Sequence, residues 1–199
     1  SVFSSEEVPE FNDAPDEAMA AAENAQIKPI DLINDIAGGV YTITSAGDYK
    51  FTCSNQETAN RIVVDGTNTS EQDNINIYLD NVNIKTSAGS ALQINNNVKA
   101  TVTIYLTGIN NLTTTNQSSA GLQKDNEAQL IITNASDTTT GILKASSDGS
   151  GYGAGIGSGN YGSCNNITIK SGSVTASSTS GAGTVSYTHL RAHETELHL

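Results

Sequence analysis

Three observations predict an all-β fold, a right-handed parallel β-helix of about 4–5 coils with three short strands per coil: the composition, a repeat near thirty residues, and a period-two alternation inside that repeat. Aromatic residues make up 5% of the 199 residues, Trp is absent, Met occurs once and charged residues reach only 15%. That profile suits neither a helical bundle nor a highly charged disordered chain. Thr, Ser, Asn and Gly sit instead beside Ile, Val and Leu, the mixture of short strands joined by polar turns.

The repeat sets three strands per unit. First-strand positions Ile62, Leu92, Leu122 and Ile156 recur at about thirty residues, as do middle positions Ile77, Ile104, Ile132 and Ile169 and last positions Ile84, Leu112, Leu143 and Val174. Within a strand, apolar residues alternate with polar ones, as in Ile75, Ile77 and Leu79 or Val102, Ile104 and Leu106, so one face is apolar. Three such strands cannot enclose a core alone. Stacked units can, each strand pairing with its counterpart one unit away at about 4.8 Å. An antiparallel sandwich would instead show hairpin turns every eight to twelve residues or so, and the hand expected of parallel crossovers is right.

Residues 1–38 read as an acidic leader and N-terminal cap: up to Asp35 they hold nine acidic residues against Lys28 alone. Within them Asp16–Asn24 is helix-prone, and Ile30, Asp31 and Leu32 can form a strand. Residues 39–185 are the β-helix, opening with Val40–Ile43 and Tyr49–Phe51 and truncated at its C-terminal end. Between strands, runs such as Asp65-Gly66-Thr67-Asn68 and Asn95-Asn96-Asn97 supply the left-handed or side-chain-bonded corners that sharp turns need. Residues 186–199 break from this texture, carry all three His, and resemble translated sequencing-adapter read-through. His189, His193 and Glu194 are therefore not taken as a metal site, although His at i and i+4 share a helix face.

Charge and motif content exclude several function classes. A net charge of −12 with nine Lys plus Arg leaves no basic stripe for nucleic acid. No apolar run approaches the ~18–20 residues of a membrane helix. The glycines of 149–162 precede neither a helical pattern nor a P-loop Lys, so tight corners explain them better than a phosphate cradle. Cys53 and Cys164 fall about four coils apart, near 19 Å at ~4.8 Å per coil, beyond disulfide reach; two buried, unpaired thiols are expected.

The ordered series Tyr41-Thr42-Ile43-Thr44-Ser45-Ala46-Gly47-Asp48-Tyr49, Ile62-Val63-Val64-Asp65, Ile77–Ile84, Val102–Gly108 and Asn110-Asn111-Leu112 resembles a family of bacterial secreted carbohydrate-binding domains. Gly121-Leu122-Gln123-Lys124-Asp125 is similar to a recurring corner of that family, and the likeness spans about residues 41–145. The resemblance implies a right-handed, pectate-lyase-like β-helix that binds acidic plant polysaccharide with calcium. Gly153–Gly159 with Asn166–Ile169 and Gly172–Ala176 is similar instead to Gly-rich repeats of large gut-bacterial surface proteins and adhesins.

Candidate residues follow. Calcium takes six to eight oxygen ligands, and Asp65, Asp80 and the corner residue Asp125 are the candidate donors, with Asp48 and Asp73 behind them. Tyr78 and Tyr105 occupy equivalent positions of neighbouring units and, following inward Ile, point outward as a two-ring ladder that can line a groove. Lys124 is the candidate cation for an acidic sugar. An active lyase would need calcium and a strong base; Arg61 is the one Arg of the body, and no His lies outside the tail. Outward Thr lacks the in-register repetition of an ice-binding face.

The reading is a non-catalytic, extracellular, secreted or cell-surface module of a longer protein, monomeric, with no nucleic-acid partner and no membrane insertion. It binds polysaccharide, acidic and calcium-bridged, because an acidic protein repels an acidic glycan unless a divalent cation lies between them. The rivals are a structural stalk or adhesin coil and a pectate-lyase-like enzyme.

Overall fold

In the computed structural model of the chain, residues 26–149, 152–159 and 162–179 are described, with the backbone of two short strands at 188–189 and 195–198. The helix-prone Asp16–Asn24, the acidic residues before it, His193 and Glu194 lie outside the described residues.

The fold is all-β with almost no helix, and every paired strand is parallel to its neighbour. Sheet I runs β1 (Pro29–Asp31), β3 (Gly47–Thr52), β5 (Asn74–Asp80), β8 (Thr101–Thr107), β11 (Leu130–Asn134), β14 (Ile167–Ile169) and β16 (Thr188–His189). Sheet II runs β2 (Val40–Ile43), β4 (Arg61–Val64), β7 (Leu92–Ile94), β10 (Leu122–Lys124) and β13 (Ile156–Gly157). Sheet III runs β6 (Asn83–Thr86), β9 (Ile109–Thr114), β12 (Ile142–Ser147), β15 (Gly172–Ser178) and β17 (Thr195–His198). From β4 to β15 successive strands fall to sheets II, I and III in unbroken rotation, so no strand pairs with its chain neighbour. Among the described residues of that stretch no hairpin occurs, which removes the antiparallel sandwich and is consistent with a β-helical solenoid.

Register follows the sequence repeat in two sheets and departs from it in the third. Ile62, Leu92, Leu122 and Ile156 are consecutive partners in sheet II, and Ile77, Ile104, Ile132 and Ile169 in sheet I. In sheet III, Ile84 meets Leu112, but Leu112 pairs with Ala145 and Leu143 with Asn110. The expected Leu112–Leu143 match is thus corrected by two residues. An apolar alignment misses it because Asn110 occupies a fully buried position in the stack. Its side chain replaces a backbone partner: Oδ1 accepts from Val82 N at 2.8 Å, and Nδ2 donates to Thr107 O and Ile142 O at 3.1 and 3.2 Å.

Apolar residues of alternate positions meet between the sheets, with Phe51, Ile62, Ile77, Leu79, Ile84, Leu92 and Ile104 all fully buried. Four sheet III strands, β6, β9, β12 and β15, end on a hydroxyl in the column Thr86, Thr114, Ser147 and Ser178. Thr114, Ser147 and Ser178 donate to the carbonyls of Gly89, Ser119 and Gly153, which stand three residues ahead of β7, β10 and β13, the sheet II strands that precede β9, β12 and β15 in the chain. These hydroxyls satisfy corner carbonyls that would otherwise be buried without a donor. The corner from sheet I to sheet III uses positive φ: Asn81 at 53°, Gly108 at 69° and Gly172 at 101°. Asn81 Oδ1 accepts from Ile109 N at 3.2 Å and fills the space a Cβ at Gly108 would take, 2.3 Å away. In the third rotation a longer loop replaces this corner, pinned by Gly141 N donating to Asn134 Oδ1 at 2.8 Å.

Candidate functional site

On the outer face of sheet I, Tyr78 and Tyr105 are register partners whose rings stack 4.5 Å apart at 10°. The expected ladder is therefore present. Tyr78, however, is only 6% exposed, so one ring face of the ladder is spent on its neighbour and little of Tyr78 is left for a sugar. Lys50, the partner of Tyr78 on β3, places its ammonium 3.7 Å from Asp80. Asp80 also accepts from Asn81 Nδ2 at 2.8 Å, so this candidate calcium ligand stands in a corner pair of its own.

The other two candidate carboxylates share a column. Asp65, Asn95 and Asp125 each follow the last residue of a sheet II strand, three residues beyond the in-register Ile62, Leu92 and Leu122. At about 4.8 Å per strand, Asp65 and Asp125 stand roughly 10 Å apart with the Asn95 amide between them. Asp65 Oδ1 accepts from Thr67 N at 2.8 Å, Thr67 Oγ1 at 2.5 Å and Asn97 Nδ2 at 3.1 Å, bonds that hold its carboxyl below the usual carboxylate range. Asp125 accepts from Gln123 Nε2 at 2.7 Å and from Gly159 N at 3.0 Å. Asn95 is read from the sequence only as a corner residue, although the repeat carries a further signal: the positions three after Ile62, Leu92 and Leu122 read Asp, Asn, Asp, and the series ends at Gly159, three after Ile156.

Asp65, Asp80 and Asp125 do not make one calcium site. Asp80 is at a different corner, and the remaining pair is too widely spaced for one ion with oxygen ligands at about 2.3–2.6 Å. Among the described residues no three of His, Cys, Asp and Glu gather as a metal-holding group. What the column offers is two partial donor sets, each a carboxylate beside the shared Asn95. Asp48 and Asp73 stand elsewhere, bonded to Asn76 Nδ2 and to Ser70 N, both at 2.8 Å.

Lys124 is placed inside the fold, not on a glycan-facing surface. It shares the inward phase of Leu122 and pairs with buried Ile94, and it is 1% exposed. Its ammonium donates to the carbonyls of Asn126 at 2.8 Å and Asn165 at 2.7 Å. Parity with Leu122 was the sequence signal for this placement; the cationic type concealed it.

Burial depresses the Lys124 pKa from its ordinary 10.5, with Cys164 and Glu127 pulling the other way. Between the depressed value and 10.5 the unfolded chain binds a proton that the folded chain does not, so this group makes stability rise with pH. Cys164 has the opposite slope, since burial raises its pKa above 9.0 and the folded thiol keeps its proton longer. In a Cys164→Ala background, the stability advantage of the parent over Lys124→Met is expected to grow as pH is raised from 7 toward 10.5. Denaturant titrations at several pH values check this; a constant difference would mean the ammonium is not desolvated. Cys53 and Cys164 themselves are both free and buried.

Arg61 lies on the outer face of sheet II, where half-buried Arg61, Val63, Gln93 and Gln123 alternate with buried residues, all apolar but Lys124. Its Nε donates to Ser90 O at 2.5 Å and its Nη2 to Gln93 Oε1 at 2.8 Å. Gln93 Nε2 in turn donates to Asn95 Oδ1 at 3.1 Å, linking the guanidinium to the Asp65–Asn95–Asp125 column.

The sequence matches no protein-family model and no curated protein, and no solved structure matches the chain.

Proposed function

We propose that this chain is a non-catalytic, extracellular module that binds acidic polysaccharide through calcium ions shared between protein and polymer. Its architecture in this reading is a right-handed parallel β-helix of three strands per coil, with about 4–5 coils built from the rotation of β4 to β15 and the partial coil before it. The observation that carries the reading is the column Asp65, Asn95 and Asp125 at one corner of sheet II. Each carboxylate with the Asn95 amide supplies fewer oxygens than the six to eight or so that calcium takes. The carboxylates of a uronate polymer supply the rest, so ion and polymer bind together and either alone binds weakly.

Calorimetry of the chain with polygalacturonate and with a neutral glucan, each in calcium and in chelator, tests this. Calcium-dependent heat is expected for the uronate alone, reduced about tenfold or more in affinity by Asp65→Asn with Asp125→Asn, which keep the shape and remove the charge. Heat that is unchanged by chelator would sink the calcium bridge.

A structural stalk or adhesin segment is the second reading, favoured by the Tyr78–Tyr105 stack, whose rings are turned on each other. Absence of heat with either glycan under both conditions supports it. Catalysis has less behind it, because Lys124 is enclosed and Arg61 is held by Ser90 and Gln93.

A further inference from the structure

We propose that the Arg61 guanidinium is a direct docking point for a carboxylate of the bound polymer, a contact separate from the calcium column; the inference rests on the acidic-polysaccharide reading. Arg61 is a cation in a chain of 21 acidic residues, yet among the described residues it pairs with no carboxylate. A carbonyl and an amide oxygen orient it instead, using Nε and one proton of Nη2. Both protons of Nη1 and the other of Nη2 are left without a partner among the described residues, the part of the fork that takes a carboxylate bidentately. Partial burial opposes the charge of this guanidinium, so a bound anion stabilises it.

Location adds a second argument. Arg61 reaches across sheet II to Gln93, and Gln93 is bonded to Asn95, the middle of the carboxylate column. One face therefore presents a fixed cation beside two partial calcium sites. A uronate chain crossing it can place one carboxylate on the fork and others on the ions.

The geometry supplies its own control. A Cβ at Gly89 would lie 2.7 Å from Arg61 Cζ and Nη2, so Gly89→Ala must displace the guanidinium while leaving the charge of the chain unchanged. The obstructed atoms end a flexible side chain, and the fold can absorb the shift. Binding of polygalacturonate is to be measured by calorimetry in calcium for the parent, Arg61→Gln and Gly89→Ala, with thermal melts to establish folding. Arg61→Gln is expected to weaken binding about tenfold or more, and Gly89→Ala to weaken it several-fold. If Arg61→Gln does not fold, Gly89→Ala carries the comparison. Parent binding that is undiminished in the folded variants overturns the docking point and leaves the calcium column standing. Weakening in Arg61→Gln with none in Gly89→Ala also overturns it, since only a diffuse charge effect then remains. No binding by the parent overturns this inference and the polysaccharide reading together.

Discussion

Asn110→Leu is expected to lower the free energy of unfolding by about 3 kcal/mol, although it replaces a polar residue in an apolar stack with an apolar one of similar length. Asn110 is fully buried, and the Val82 N–H has its Oδ1 as acceptor at 2.8 Å. Leucine leaves that donor buried and unpaired, and takes one hydrogen bond each from the carbonyls of Thr107 and Ile142. A buried backbone group left without a partner costs about 1–3 kcal/mol, and the transfer gain of the leucine side chain offsets part of the sum. Denaturant unfolding of the two proteins measures the difference. A loss below about 1 kcal/mol would mean that the backbone at Val82 relaxes onto another acceptor.

Gly121→Ala is the second large effect, and its cause is space alone. A Cβ at this position would meet Leu112 O at 2.6 Å, Ser146 N at 2.7 Å and Ser146 O at 2.8 Å. All three atoms belong to the backbones of β9 and β12, so no side chain can swing away; the sheets themselves must part. Overpacking of this kind costs about 1–3 kcal/mol and occasionally more. The upper end is expected here, which for a domain of this size lowers the thermal midpoint by roughly 6–12 °C. A thermal melt decides it: a drop of under about 2 °C would show that the corner between sheets III and II opens cheaply. Gly89 is the contrast within the same fold, because the atoms in its way belong to the end of a side chain.

The strands of sheets I and II were legible because apolar β-branched and Leu residues repeat there without interruption: aligning Ile62 with Leu92, or Ile77 with Ile104, reproduces the observed pairs. Sheet III was legible in phase but not in register, since Asn110 and Ala145 hold places where the pattern looks for a large aliphatic residue. The candidate site was read less well, for a related reason. Residue type suggested Lys124 as a surface cation, whereas strand parity sets it inside, bonded to two carbonyls. The outward phase of Tyr78 was readable, but its burial depends on a ring from the neighbouring strand. Asp65 and Asp125 were found one at a time as turn residues. Their common column emerges only when register is known, and it brings in Asn95, which carries no charge to draw attention. The hold of Ser90 and Gln93 on Arg61 spans separate strands and has no local sequence signature.

The two-residue offset in sheet III also bears on how such a chain can change over generations. Sliding β12 against β9 by two residues keeps every side chain on its own face, while a slide of one would turn the interior outward. Insertions and deletions inside strands are thus constrained to pairs of residues. Corners obey no such parity, as the extra residues between Asn134 and Gly141 demonstrate. Descendants and cousins of this sequence should accordingly differ from it by unequal rotations, with odd length changes confined to the corners and even ones permitted along the strands.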